Sequence, residues 1–191
     1  PGPELPMYLY PPSIEKITNT MNGIKIQWKK VENADGYRIQ RKTGKDKWKD
    51  LKILKKNKYT DNAVRNGQNY RYRVYAYAVN SVDFIENTGI KSITKNFLYL
   101  QVPSIKYSKK SRKIRCKISW KQNKKADGYN FQISTSKQFK KPVIKKIKGK
   151  RKSTTNINIH KNKSYYVRVR AYKMDAGKTY YSGWSYIKMI K

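Results

Sequence analysis

Cysteine is all but absent from this 191-residue chain, occurring once, at Cys116. A single thiol excludes an intrachain disulfide and any metal site built on cysteines. Histidine is as scarce. His160 stands alone, without the neighbouring partners that a catalytic triad or a His-based metal site requires. No run of about 18 apolar residues occurs, so no stretch reads as a membrane-spanning helix. Carboxylates are the third shortage: 11 Asp and Glu stand against 46 Lys and Arg, a formal net charge of +35. The imbalance is uneven. Residues 1–98 hold 19 basic and 9 acidic side chains, a net of +10, while residues 99–191 hold 27 and 2, a net of +25. The two acids of the second half are Asp127 and Asp175. A glycosidase needs two carboxyls held close together, and nothing in this spacing forces these two to meet. The expectation is therefore a protein that is not an enzyme and has no cofactor and no metal site.

Glycine and proline are sparse too, at 10 and 7 residues, so the sequence is not low-complexity, while 17 Tyr and 4 Trp supply bulk for two modest cores. Apolar and polar residues alternate in short runs, the period of strands with one buried face. Ile24, Ile26 and Trp28 share one face of GIKIQWKK. Tyr37 and Ile39 share one face of GYRIQRK. Tyr70, Tyr72, Val74 and Ala76 share one face of YRYRVYAYAV. The pattern then recurs. WKKVENADGY at 28–37 returns as WKQNKKADGY at 120–129, 92 residues later, and YYVRVRAY at 165–172 places Tyr165, Val167, Val169 and Ala171 on one side. Cys116 falls in the alternation Ile114, Cys116, Ile118, Trp120, where it reads as a buried hydrophobe. Asp35-Gly36 and Asp127-Gly128 read as tight turns opening a strand, and Asn66-Gly67 as the turn before the long strand. The linking segment NFLYLQVP is short and apolar, unlike a Gly/Ser tether.

Three spaced features in each copy resemble a fibronectin type III domain. They are a second-strand Trp (Trp28, Trp120), a third-strand Gly-Tyr (Gly36-Tyr37, Gly128-Tyr129), and an apolar residue six positions before a Tyr. The last pairs are Val64 with Tyr70 and Ile159 with Tyr165. The resemblance implies an all-β chain of two tandem immunoglobulin-like, seven-stranded β-sandwiches, with a linker over residues 1–9 and domains over 10–98 and 99–191. It implies that Trp28, Tyr37, Tyr70, Trp120, Tyr129 and Tyr165 are structural core. It further implies that the hydroxyls of Tyr70 and Tyr165 tie a crossover to the backbone. ADGYNFQISTSKQFKK and NKSYYVRVRAYKMDAGKTYYSGWS are similar to the type III repeats of Gram-positive surface and secreted proteins. That likeness implies an extracellular, secreted or wall-associated setting and neighbouring domains in a longer parent chain, and the opening PGPELPMYLYPP reads as a linker to such neighbours.

Two features invite a functional reading. KKPVIKKIKGKRK at 140–152 sets Lys145, Lys146, Lys148, Lys150, Arg151 and Lys152 on an edge hairpin. Such a run suits anionic wall polymers or glycans through weak, salt-dependent attraction. It is equally what a solvated, aggregation-resistant edge looks like, and the excess of Lys over Arg (36 to 10) fits compositional bias. No nucleic-acid-binding signature accompanies it, which points away from sequence-specific nucleic-acid recognition. The second feature is the outward set Arg168, Arg170 and Trp184, similar to the Trp–Arg ladder of cytokine-receptor type III domains, whose WSxWS motif is half-matched by Gly183-Trp184-Ser185. The competing role for Trp184 is a platform for a sugar ring. In the first copy Ile90 takes the corresponding place, so that copy is expected to lack the rung. NKS at 162–164 is a formal glycosylation acceptor. The expected function is a non-catalytic spacer or adhesion module. The alternatives are a substrate-targeting module of a polysaccharide- or wall-degrading hydrolase, and a glycan- or matrix-binding adhesin fragment.

Overall fold

The computed structural model describes residues 9–79, 84–86, 94, 96–108, 115–160 and 162–191. Ile90 and Ile114 lie outside them. The chain divides into two compact units. The first comprises Pro1–Thr18, Ile24–Val64 and Gln68–Leu98, the second Asn19–Gly23, Arg65–Gly67 and Tyr99–Lys191. No helix occurs among the described residues.

In the first unit, apart from the β1–β2 turn at Asn19–Gly23, β1 (Ile14–Thr20), β2 (Gly23–Trp28) and β5 (Lys58–Asp61) form one sheet in the order β1-β2-β5. The other holds β3 (Gly36–Lys42), β4 (Lys49–Leu54), β6 (Asn69–Val79) and β7 (Phe84–Glu86) in the order β4-β3-β6-β7, with β8 (Phe97–Leu98) also on β6. In the second unit β9 (Ile105–Ser108), β10 (Arg115–Trp120) and β13 (Thr154–Asn158) run in the order β13-β10-β9. The facing sheet holds β11 (Gly128–Ser134), β12 (Val143–Lys148), β14 (Tyr165–Asp175) and β15 (Lys178–Tyr181) in the order β12-β11-β14-β15, and β16 (Lys188–Ile190) pairs with β14. With β15 and β16 taken as halves of one strand, three strands face four. These are tandem immunoglobulin-like sandwiches, the all-β class that the resemblance implied.

The cores follow the period of two. On β6 Tyr70, Tyr72, Val74 and Ala76 are buried, and on β14 Tyr165, Val167, Val169 and Ala171 are buried. Cys116 packs among them in the second unit with Ile118, Phe131, Ile157 and Ile190. Trp28 meets Tyr37 edge-on at 5.4 Å between ring centroids, and Trp120 meets Tyr129 at the same separation. Burial of these rings and the aliphatic residues around them stabilises each core by about 25 cal/mol per Å² of apolar surface.

The repeated Ala-Asp-Gly-Tyr forms the same clasp in both units. The Tyr37 hydroxyl accepts the Val31 N–H at 2.9 Å. The Tyr129 hydroxyl accepts the Asn123 N–H at 2.7 Å and donates to the Lys150 carbonyl at 3.1 Å. Asp35 accepts the Val79 N–H at 2.7 Å, and Asp127 accepts the Met174 N–H at 2.8 Å, so each carboxylate pins the start of one strand to the end of the long one. The glycines stand where the third-strand Gly-Tyr was expected. Gly36 and Gly128 are the first residues of β3 and β11. Neither has the left-handed backbone that a turn would demand of it. Glycine is needed because a Cβ on Gly36 would lie 2.5 Å from the Tyr77 hydroxyl oxygen, and one on Gly128 would lie 2.6 Å from that of Tyr172. The aromatic ring of the long strand covers the bare backbone of its neighbour.

Candidate functional site

β14 alternates, so the residues between the core positions face outward from the second unit. There the ladder runs through five side chains. Arg170 lies 3.9 Å from the Tyr181 ring centroid and 4.5 Å from that of Trp184. Arg168 lies 4.4 Å from Trp184 and 4.0 Å from Phe139. Cation and ring alternate as Tyr181, Arg170, Trp184, Arg168, Phe139. Each such stacking is worth roughly 0.5–2 kcal/mol, more as water is excluded. Arg168 Nε also donates to Gln132 Oε1 at 2.8 Å. Arg170 Nε is buried without a hydrogen-bond partner, and its guanidinium rests on rings instead. Burial lowers the pKa of both guanidiniums, assisted at Arg168 by the charge of Arg170 and opposed at Arg170 by Tyr181. Trp184, with two guanidiniums within 4.5 Å of its centroid, is engaged in the sheet itself.

What aims Trp184 is a break in the last strand. Tyr172 pairs with Tyr181 and Val167 with Lys188, so four residues of β14 face six, 182–187. Two serines bridge the break. Ser182 donates its N–H to the Ala171 carbonyl at 2.9 Å and accepts the Ala171 N–H on Oγ at 2.9 Å. Ser185 treats Val169 in the same way, at 2.9 and 3.1 Å. A bulge that would orphan two buried N–H groups is thereby satisfied. Ser182, Tyr181 and Phe139 were not singled out from the sequence. The available signal was Tyr-Ser-Gly-Trp-Ser, with Tyr181 at the first aromatic place of the five-residue motif.

The first unit carries a shorter version. Arg73 lies 4.5 Å from the Trp48 ring centroid and 5.2 Å from that of Tyr75, and its Nε donates to Gln40 Oε1 at 2.6 Å. Arg38 lies 4.9 Å from Tyr75. The Gln–Arg clamp is common to both units. Gln40 and Gln132 are among the few buried polar side chains. The expectation about Ile90 falls outside the described residues.

The basic run is dispersed by the strand it occupies. β12 is the edge of its sheet. Lys145 pairs opposite Phe131, a core residue, and Lys146 opposite Asn130, so the two lysines leave the strand on opposite faces. Lys145 Nζ donates to the Asn156 carbonyl at 3.2 Å, and Lys146 Nζ sits 5.1 Å from the Tyr172 ring. Lys148 shares the face of Lys146, while Lys150, Arg151 and Lys152 follow in the turn after Gly149, whose φ is +99°. All six are exposed.

Of the structural residues, Tyr165 accepts the His160 N–H on its hydroxyl at 3.3 Å, and Tyr70 stacks under Arg41 at 5.2 Å. Among the described residues no three His, Cys, Asp or Glu side chains gather in one place.

No family model matches the chain, and no curated protein matches it. A solved structure similar to it is the crystal structure of chicken CNTN1 FN1-FN3 domains, at 18% sequence identity and a TM-score of 0.37. That match covers 94% of this chain and 65% of the other, less than two thirds of the neighbour's length.

Proposed function

We propose that this chain is a non-catalytic pair of sandwich modules from a secreted or surface-exposed bacterial protein. It spaces and orients neighbouring domains and associates by charge with anionic wall polymers or glycans. The observation that carries this reading is the excess charge of the second unit. Residues 99–191 hold two acids, and one of them, Asp127, is committed to the Met174 N–H and to Lys173 at 3.6 Å. Among the described residues the other cations there stand mostly on exposed positions, where a field of one sign attracts polyanions over about a Debye length. The rings of Trp120, Tyr129, Tyr181 and Trp184, which a sugar platform would need free, are occupied in core and ladder.

Retention of the full chain on heparin tests the reading. Replacing Lys145, Lys146, Lys148, Lys150, Arg151 and Lys152 with Gln is expected to lower the salt needed for elution. The shift should exceed that from replacing Lys45, Lys47, Lys49, Lys52, Lys55 and Lys56. Equal shifts would remove the second unit from its leading role, and absence of retention at low salt would remove charge-driven association altogether.

A further inference from the structure

The second unit contains a cleft of about 330 Å³ at the open side of its sandwich, between the end of β11, the start of β12 and the crossover after β13. That is within the range of small-molecule sites, about 300–1,000 Å³. Its lining joins Lys141, Lys145 and His160 with the polar side chains of Thr135 and Asn158, over an apolar floor that includes Ile157. Neither carboxylate of the second unit lines it. Lys145, in the lining, donates to the Asn156 carbonyl at 3.2 Å, which leaves two of its three N–H donors for another acceptor.

The loop that supplies Lys141 is built and strained. Ser134, buried at the end of β11, accepts the Ser136 N–H on Oγ at 3.0 Å and donates to the Lys140 carbonyl at 3.2 Å. Phe139 and Lys141 both occupy left-handed backbone, at φ of +56° and +47°. Residues other than glycine adopt this backbone only at a conformational cost. The Phe139 ring, stacked on Arg168, anchors the outer side of the loop. Such a cost at two neighbouring positions is sustained only where the surroundings fix them, and here they set a lysine at the cleft.

We infer that this cleft is a binding site for one acidic sugar residue of a glycan. The sulfate or carboxylate group meets Lys141 and Lys145, the ring hydroxyls meet Thr135, Asn158 and the His160 imidazole, and the sugar's C–H face lies on the apolar floor. The inference rests on the reading that the chain meets anionic glycans. It adds a defined, saturable site distinct from the diffuse charge of residues 146–152.

The test is a titration of the full chain with a sulfated heparin disaccharide and with the same disaccharide desulfated, followed by amide chemical shifts. The expected result is one-to-one saturation by the sulfated sugar alone, with shifts concentrated at Thr135, Asn158 and His160. Lys141→Ala with Lys145→Ala should weaken binding by about tenfold or more, as removal of the anion's two cationic partners requires. Lys150→Ala with Lys152→Ala, which removes the same charge from the turn, should change it by less than about threefold. Equal weakening by the two double variants, or shifts centred on residues 150–152, would overturn the cleft while leaving charge-driven association intact. Failure of the disaccharide to bind while heparin is still retained would do the same. Loss of both would overturn the two readings together.

Discussion

Arg41 and Asp61 meet inside the first unit through a charged hydrogen bond of 2.8 Å, at positions where the second unit has only hydrocarbon. Asp61 is 1% exposed and also accepts the Tyr72 hydroxyl at 2.8 Å, and Arg41 donates onward to the Ala63 carbonyl at 2.8 Å. Burial opposes the charge on Arg41, but the hydrogen bond and charge of Asp61 outweigh it and raise its pKa. Counted from the shared Gly-Tyr and from the matched Tyr70 and Tyr165, Arg41 corresponds to Ile133 and Tyr72 to Val167. Asp61 pairs with Ile24 as Ile157 pairs with Cys116. One fold has thus solved one site in two ways.

Breaking a buried pair leaves an uncompensated charge, whereas replacing the whole set with packed hydrocarbon is often neutral or favourable. Asp61→Ala is expected to destabilise the first unit by about 3–5 kcal/mol. The triple change Arg41→Ile, Asp61→Ile, Tyr72→Val should restore stability to within about 1 kcal/mol of the parent or above it. Chemical denaturation measures both. A triple variant as unstable as the single one would refute the equivalence of the two sites.

The glycines under the aromatic rings should respond unequally. At Gly36 the three nearest atoms to an added Cβ all belong to the Tyr77 side chain, which can rotate away. At Gly128 the added Cβ also runs into the Ile147 carbonyl oxygen, which is held in the β11–β12 ladder. Gly128→Ala should therefore cost about 1–3 kcal/mol, the usual range for overpacking, and Gly36→Ala distinctly less. Thermal melts of the two variants decide this, and equal losses would contradict the backbone-clash account.

Trp184→Ala is expected to lower the stability of the second unit by about 1–3 kcal/mol, because both apolar burial and cation–π stacking disappear with the ring. Ser185→Ala should cost about 1 kcal/mol by leaving the buried Val169 N–H without its acceptor. A Trp184→Ala variant with an unchanged melting temperature but no retention on polysaccharide would show that the ring serves a ligand instead.

Alkali should unfold the protein through its tyrosines. Burial raises the pKa of Tyr129, and burial together with Asp61 raises that of Tyr72. A phenol whose folded pKa is raised supports the fold below its ordinary value of 10.0. That support is lost as the pH climbs from there through the folded value, because the unfolded chain ionises first. Melting temperatures should hold at neutral pH and fall above about pH 10. Phenolate absorbance that titrated completely before any loss of fold would contradict the burial of these rings.

Most of the architecture was legible because a strand with one buried face writes its burial into every second residue. Trp28, Tyr37, Trp120, Tyr129 and the runs from Tyr70 and Tyr165 are examples. Less legible were features that depend on register between distant strands. The pairing of Arg41 with Asp61 joins β3 to β5, and the Ser182 and Ser185 hydrogen bonds depend on a bulge that alternation alone does not reveal. Asp-Gly places Gly36 and Gly128 at a strand opening but does not reveal why each must be glycine. The ring that requires each glycine, Tyr77 or Tyr172, lies far along the chain on the long strand. The cleft at Lys141 and His160 was illegible for the same reason, since its walls come from three separate segments of the chain.

The proposed attraction of the second unit to anionic polymers is measured most directly by the affinity of the full chain for heparin at a series of salt concentrations. With the five cations of residues 146–152 engaged, charge-driven binding should weaken by on the order of 10²–10³-fold between about 50 and 200 mM salt, as counterion release requires for a linear polyanion. An affinity that stayed constant across that range would contradict the account.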